Sequence, residues 1–359
     1  MHVVIAPDSF KGTATAAEVS TAIAAGWQSE RPLDTLTLMP MADGGEGTLD
    51  AFATAFPDAR RVPVTVTGPA GAPVATWWLS LPDGRAVVEL AATSGLPLLD
   101  APEPDRAQTT GFGQAIAAAL DAGATGLVLG IGGSASTDGG AGMLGALGLT
   151  GVAPTAAGSL LDDVTTVSVA TVRPLPPLGV TVLTDVTSPL LGPTGAAAVF
   201  GPQKGVAPDR LATHEARLEG WAARFPDVDP TTPGAGAAGG TGFGLLVWGA
   251  TLAPGATGVA DVLGLPAVLA TADVVVTGEG RFDGQTAAGK VPTVVGSLAA
   301  GRRRMLVAGA IDAPVDDFDA AASLTVIATQ TTGEPSDALA DPMRFARIAG
   351  QRLAARAGD

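Results

Sequence analysis

DVVVTGEGRFDGQTAAGK, residues 273–290, runs a continuous apolar segment straight into a glycine-rich loop. Asp273–Thr277 reads as a strand buried on both faces, as in a parallel sheet. The loop contains Gly284-x-x-x-x-Gly289-Lys290, one residue short of a phosphate-binding P-loop. That motif next requires Ser or Thr, whose hydroxyl holds Mg²⁺, and Val291 stands there instead. Gly284 also lies too far beyond Thr277 for the usual strand–loop–helix cradle. The Walker arrangement is rejected, while a lysine and an approachable glycine backbone remain.

The same alternation extends outward to both ends of the chain. Strands are expected at 3–7, 36–40, 305–310 and 323–328, with helices at 15–29, 46–56, 261–269, 286–298 and 343–356. Apolar strands alternating with helices indicate a parallel sheet covered on both faces. From Arg61 the pattern changes to short strands at 62–68, 74–81 and 85–90, separated by the turn signals Gly68-Pro69 and Pro82-Asp83-Gly84. Helix–strand units return with 108–120, 126–131 and 179–185. The fold class is therefore α/β with two domains: a Rossmann-like domain from residues 1–61 and 256–359, and an inserted mixed-sheet α/β domain at 62–255.

Composition narrows the function. A net charge of −15 argues against nucleic acid or an anionic membrane as partner. The absence of cysteine removes disulfides and thiol chemistry. His2 and His214 are the only histidines, and HEARL at 214–218 is not H-E-x-x-H, so zinc catalysis is not expected. His214 sits in the charged run DRLATHEARLEGW and is expected on its solvated face. No G-x-S-x-G occurs, so a Ser-His hydrolase is not expected either. Residues 230–260 lack charge, but their glycines and prolines would break a membrane helix. No basic start or apolar leader follows Met1, and a cytoplasmic protein is expected. The three lysines each adjoin glycine: Lys11-Gly12, Lys204-Gly205 and Gly289-Lys290. With arginine filling the generic basic positions, these lysines mark places suited to a compact ammonium, as at phosphate.

Strand after strand opens into a small-residue loop with carboxylates: Asp8-Ser-Phe-Lys11, Asp43-Gly-Gly-Glu46, Gly132-Gly-Ser134 through Asp138, Asp185-Val-Thr-Ser, and Glu279-Gly-Arg281-Phe-Asp283. Open α/β sheets bind ligands beyond the carboxyl ends of their strands. Glycines there admit phosphate to backbone N–H groups, and Mg²⁺ takes one or two carboxylates plus phosphate oxygens. Helix capping accounts for any one of these acids but poorly for all five together. The G-x-G-x-x-G match at Gly140–Gly145 begins well after its strand has ended, and dinucleotide binding is not expected.

These loops resemble the type 1 glycerate kinases, bacterial enzymes that phosphorylate D-glycerate with ATP. APDSFKG (6–12), PMADGGEGT (40–48), GIGGSASTDGGAGML (130–144), TDVTSPLLGPTGAAAVFGPQKG (184–205), PGAGAAGGTGFG (233–244) and TGEGRFDGQTAAGK (277–290) occur in the family's order. Thr137 and Ser188 replace asparagines of the family pattern, which puts in doubt any hydrogen bond those amides made. The resemblance implies an active site in a cleft between the two domains, ATP and Mg²⁺ as cofactors, and D-glycerate as substrate. On that reading Asp43 and Glu46 hold the metal or its waters, and Asp185 is the base near the acceptor hydroxyl. Arg281 and Lys290 meet the glycerate carboxylate or γ-phosphate, oriented by Asp283. Gly132, Gly133, Ser134, Asp138, Lys204, Gly278 and Glu279 contact the nucleotide. Asp8, Ser9, Lys11 and Arg281 contact the substrate, Lys11 and Lys204 closing on the anionic ligand. Alternatives are a kinase for another small hydroxy acid and a non-catalytic sensor of glycerate or nucleotide. Monomer and homodimer both remain open.

Overall fold

The computed structural model describes residues 1–10, 12–152, 159–162, 164, 166–284 and 290–358. In chain order its strands are β1 His2–Pro7, β2 Thr35–Leu38, β3 Arg60–Thr67, β4 Pro73–Ser80, β5 Arg85–Glu89, β6 Gly126–Gly130, β7 Val180–Leu183, β8 Thr251–Ala253, β9 Val274–Phe282, β10 Arg303–Ile311 and β11 Ala320–Ser323. They form two sheets, in the orders β11-β10-β9-β1-β2 and β3-β4-β5-β6-β7-β8.

Two compact units contain these sheets. The first comprises Met1–Asp43, Asp50–Pro57 and Ala256–Asp359; the second comprises Gly44–Leu49 and Asp58–Gly255. An expected boundary at 61/62 would fall inside β3, which belongs whole to the second unit.

In the first unit every strand pairing is parallel. Val3, Ile5, Val274, Val276, Met305 and Val307 pack with Ile23 and Trp27 of the helix Ala16–Glu30 and with Phe345 and Leu353 of the helix Pro342–Arg356. The first of these helices starts at a capping box, with Thr15 and Glu18 bonding each other's backbone N–H.

The strand expected at 323–328 is instead a helix, Leu324–Thr332. Its buried residues Leu324, Ile327 and Ala328 have the i, i+3, i+4 spacing of a helical face, and β11 ends just before them. A short apolar run does not distinguish the two periods. The helix expected over 286–298 is described from Val291 to Leu298, residues 286–289 lying outside the described residues.

The second sheet is mixed. β3, β4 and β5 are antiparallel neighbours, whereas β5, β6, β7 and β8 pair in parallel. Its core gathers Val88, Leu129 and Val182 with Phe112, Ile116, Trp221 and Phe243. Among the described residues no helix is long and apolar enough to cross a membrane. Within 230–260 the helix Ala237–Trp248 contains three successive left-handed residues, Ala238, Gly239 and Gly240.

Candidate active site

In the second unit the loop beyond β6 is assembled from backbone contacts that only small residues permit. Gly132 N–H donates to Gly44 O at 2.9 Å, tying the loop to the Gly44–Leu49 segment. Gly44 has a φ of +85°, and a Cβ there would lie 2.2 Å from Leu183 O, so the segment carrying Glu46 rests directly on β7. Gly133 O accepts from Leu96 N at 3.0 Å, and Ala135 N donates to Ser94 O at 3.0 Å. Glu46 itself is exposed.

Beneath this loop lies Lys204, 2 % exposed. Its Nζ donates to Ser134 Oγ at 2.6 Å and to Ser136 O at 2.5 Å. Burial lowers its pKa from 10.5 to about 7, against the pull of the Asp138 charge. Gly239, with a φ of +67°, backs onto the ammonium: a Cβ there would sit 2.0 Å from Ser136 O and 2.8 Å from Nζ. Ala238, with a φ of 55°, is the one non-glycine in that left-handed region among the described residues. Lys204 is thus an internal strut of the loop and not a surface cation.

Asp138 is also internal. Its Oδ2 accepts from Thr109 N at 2.9 Å, Thr109 Oγ1 at 2.8 Å and Gly142 N at 3.2 Å, and its Oδ1 accepts from Gly140 N at 3.1 Å. Those four donors turn its carboxylate inward, so it shapes the loop instead of presenting an oxygen to ligand. Ser94 Oγ and Ser136 Oγ are buried without a hydrogen-bond partner. Such orphans are uncommon and mark a place for water or ligand oxygen.

Two more carboxylates border this edge of the sheet. Asp185, two residues beyond β7, accepts from Gly255 N at 2.7 Å through Oδ1. Glu89, the last residue of β5, is buried and accepts from Leu49 N at 2.9 Å and Gly47 N at 3.4 Å. It satisfies donors at the start of the helix Thr48–Ala55. Sequence reading passed over Glu89, although it closes an apolar strand just as the noted acids do.

His214 is not solvated as expected. It is 2 % exposed, on the face of the helix Leu211–Ala222 that also buries Leu218 and Trp221. Thr137 Oγ1 donates to Pro104 O at 2.9 Å, so it accepts from His214 Nδ1 at 3.1 Å, which fixes the tautomer. Burial, then the nearby Arg217 charge, holds this imidazole below its ordinary pKa.

The first unit carries its own carboxyl-end cluster. Asp8 follows β1; its N–H donates to Gly278 O at 2.8 Å, and its Oδ1 accepts from Ser9 N at 2.7 Å. Gly278 lies against β10, where a Cβ would meet Val307 O at 2.0 Å. Glu279, 5 % exposed, has Lys290 Nζ at 3.5 Å, and Asp283 Oδ1 lies 3.8 Å from the same nitrogen. Arg281 is exposed, its Nε 2.6 Å from Asp312 Oδ2, a partner that sequence reading did not single out. Asp43 is half-buried at the end of the segment after β2. Lys11 lies outside the described residues.

The structure therefore brings together Asp8, Ser9, Gly278, Glu279, Asp283 and Lys290 in one unit. Gly132, Gly133, Ser134 and Lys204 meet in the other, beside the Gly44–Leu49 segment. Both clusters couple lysine, carboxylate and close-approach glycine, which suits an anionic ligand with a phosphate tail. Among the described residues no three Asp, Glu or His side chains form a group that could hold a metal by themselves.

Comparison with known proteins agrees with this chemistry. The profile of the Glycerate kinase family matches residues 3–357. A Bacillus subtilis (strain 168) protein named glycerate kinase is 41 % identical over 317 residues, covering 83 % of this chain and 82 % of its own length. The Escherichia coli (strain K12) protein named glycerate 2-kinase is 40 % identical over 314 residues, with the same coverages of 83 % and 82 %. A crystal structure from Salmonella typhimurium LT2, provisionally titled glycerate kinase 2, superposes with a TM-score of 0.85 at 38 % identity, over 99 % of this chain and 98 % of that one. Extending over nearly the whole chain, in sequence and in fold alike, this similarity shows that the protein belongs to the glycerate kinase family and is a kinase.

Proposed function

We propose that the enzyme transfers the γ-phosphoryl group of ATP to the 2-hydroxyl of D-glycerate, giving 2-phosphoglycerate and ADP in the cytoplasm. The observation that carries this reading is the Lys204–Ser134 loop: a buried amine, orphaned hydroxyls and glycine backbone suited to phosphate oxygens. The 40 % identity to a protein named glycerate 2-kinase supports the position of transfer.

Phosphoryl transfer asks the protein chiefly for positioning and charge stabilisation. The acceptor oxygen attacks the γ-phosphorus, the bond to the β–γ bridging oxygen breaks, and the hydroxyl proton passes to Asp185. Ser134 and the N–H groups following Gly132 hold phosphate oxygens, while Lys204 and Asp138 keep that loop in shape. Gly278 lets β9 press against β10, which sets the backbone of Glu279 beside the nucleotide. Lys290, aligned by Glu279 and Asp283, neutralises charge on the transferred group. Asp8, Ser9 and Lys11 contribute to glycerate.

Because no three carboxylates among the described residues form a metal site by themselves, Mg²⁺ would be held by single carboxylates such as Asp43 or Glu46 together with phosphate oxygens and water. When bound, it would neutralise triphosphate charge.

Arg281 pairs with Asp312 in solvent, where such a bridge adds little stability. Arg281→Ala is therefore expected to leave the melting temperature unchanged while raising KM for glycerate. An unchanged KM would remove Arg281 from substrate recognition.

The deciding experiment measures ADP release with glycerate, tartronate, lactate and glycerol, then locates the phosphate in the product by phosphorus NMR. Turnover confined to glycerate, with phosphate on C2, is expected. Faster turnover of another hydroxy acid, or ligand binding without ADP release, would overturn the proposal.

A further inference from the structure

In parallel sheets the crossover between neighbouring strands usually contains a helix and a dozen or more residues. The β10–β11 connection departs from this. Residues 312–319 cross without any helix, returning from the carboxyl end of β10 to the start of β11. Asp312 N–H bonds Phe282 O at 2.8 Å at one end, and Asp319 N–H bonds Arg304 O at 2.8 Å at the other. Where a crossover helix would otherwise pack, a groove of about 330 Å³ opens between this loop and the helix Val291–Leu298.

The groove has a defined character. Phe282 and Phe318 meet edge to face, ring centres 5.8 Å apart at 82°, and Pro314 adds another flat apolar wall. Arg304, Asp317 and Ser297 supply a donor, an acceptor and a hydroxyl along its lining. Flat apolar walls with a few polar groups of both kinds suit a planar heteroaromatic ring that carries ring nitrogens and an amino group. Asp283 and Gly284 also line it, and Asp283 Oδ1 is 3.8 Å from Lys290 Nζ. A ligand filling the groove thus has the phosphate-handling lysine at one end.

We propose that this groove is the nucleobase subsite, holding the purine of the nucleoside triphosphate against Phe318 while its phosphates extend past Asp283 toward Lys290. The assignment rests on the nucleotide-dependent reading above. The helix-free crossover is then a functional feature of the first unit: it leaves open the face on which the base stacks.

Two variants test this in the full-length enzyme. Ser297→Trp fills the groove from an exposed helix position, and Phe318→Ala removes a wall. Loss of one base-stacking contact predicts a rise of about tenfold or more in KM for ATP. KM for glycerate and inhibition by inorganic tripolyphosphate, which has no base, are expected to stay unchanged in Ser297→Trp. If Ser297→Trp leaves KM for ATP at the wild-type value, or weakens tripolyphosphate to the same degree as ATP, the base does not bind here. Should the wild-type enzyme turn over no ATP at all, the functional reading fails first, and the two failures stay distinct.

Discussion

Asp185→Asn lowers kcat by about 10²-fold or more, the range expected when a positioned general base is lost, with little change in KM for glycerate. The mount of this residue explains why the loss falls on kcat. β7 is held on both sides, by β6 and by β8, and Thr184 N–H continues that pairing to Ala253 O at 3.1 Å. Val186 N–H then bonds Thr184 Oγ1 at 3.2 Å, setting a tight turn around Asp185. Gly255 N–H fixes Oδ1 at 2.7 Å. Asparagine keeps an oxygen for Gly255 and almost the same shape, but its amide cannot take up a proton. Turnover of purified Asp185→Asn under saturating substrates, with a melting curve to confirm folding, checks this. Near-wild-type kcat would mean that Asp185 serves only to bind Gly255. Asp185→Ala separates the two roles further, because it also loses the Gly255 bond and should lower stability as well as rate.

Much of this arrangement is legible in the sequence, and what is not has specific causes. Runs such as Val3–Pro7, Leu127–Leu129 and Val274–Val276 are apolar at every position, and each is a strand with parallel neighbours. Glu89 is less legible because it lies within the strand Arg85–Glu89 itself, and the helix Ala91–Ser94 follows it in place of a polar small-residue loop. Leu324-Thr-Val-Ile-Ala is compatible with either period, and only the packing of Leu324, Ile327 and Ala328 resolves it. The charged neighbours of His214 point to a solvated face, yet His214, Leu218 and Trp221 recur at helical spacing and mark the inner face. The inward turn of Asp138 depends on Thr109, distant in the chain, and no local pattern reports it. Carboxylates that cap structure and carboxylates that face ligand therefore look alike in sequence and separate only when their donors are counted.

Lys204 gives the largest expected dependence of stability on pH. In the folded protein its pKa is about 7, against 10.5 for an ordinary lysine. Between those values the unfolded chain keeps the proton and the folded chain has released it. More protons bound in the unfolded state means that stability rises with pH. The contribution from Lys204 should therefore climb from about pH 7 to about pH 10.5 and level off on either side, by on the order of 5 kcal/mol in total. The geometry favours the same sign. A neutral amine has two N–H donors, matching Ser134 Oγ and Ser136 O, whereas the ammonium carries a third. A side chain at position 239 would bring its Cβ within 2.8 Å of the nitrogen, so only glycine leaves the amine its place. Lys204→Met fills a similar volume without titrating, so subtracting its pH–stability curve from that of wild type cancels the other groups. Urea unfolding of both proteins from pH 6.5 to 10 should show wild type gaining on the variant as pH rises. An anion bound over the loop would pull the proton back onto Lys204, so a non-hydrolysable ATP analogue should move the onset of that gain to higher pH. A flat difference curve would mean that the amine is charged throughout and that the loop holds a permanent cation.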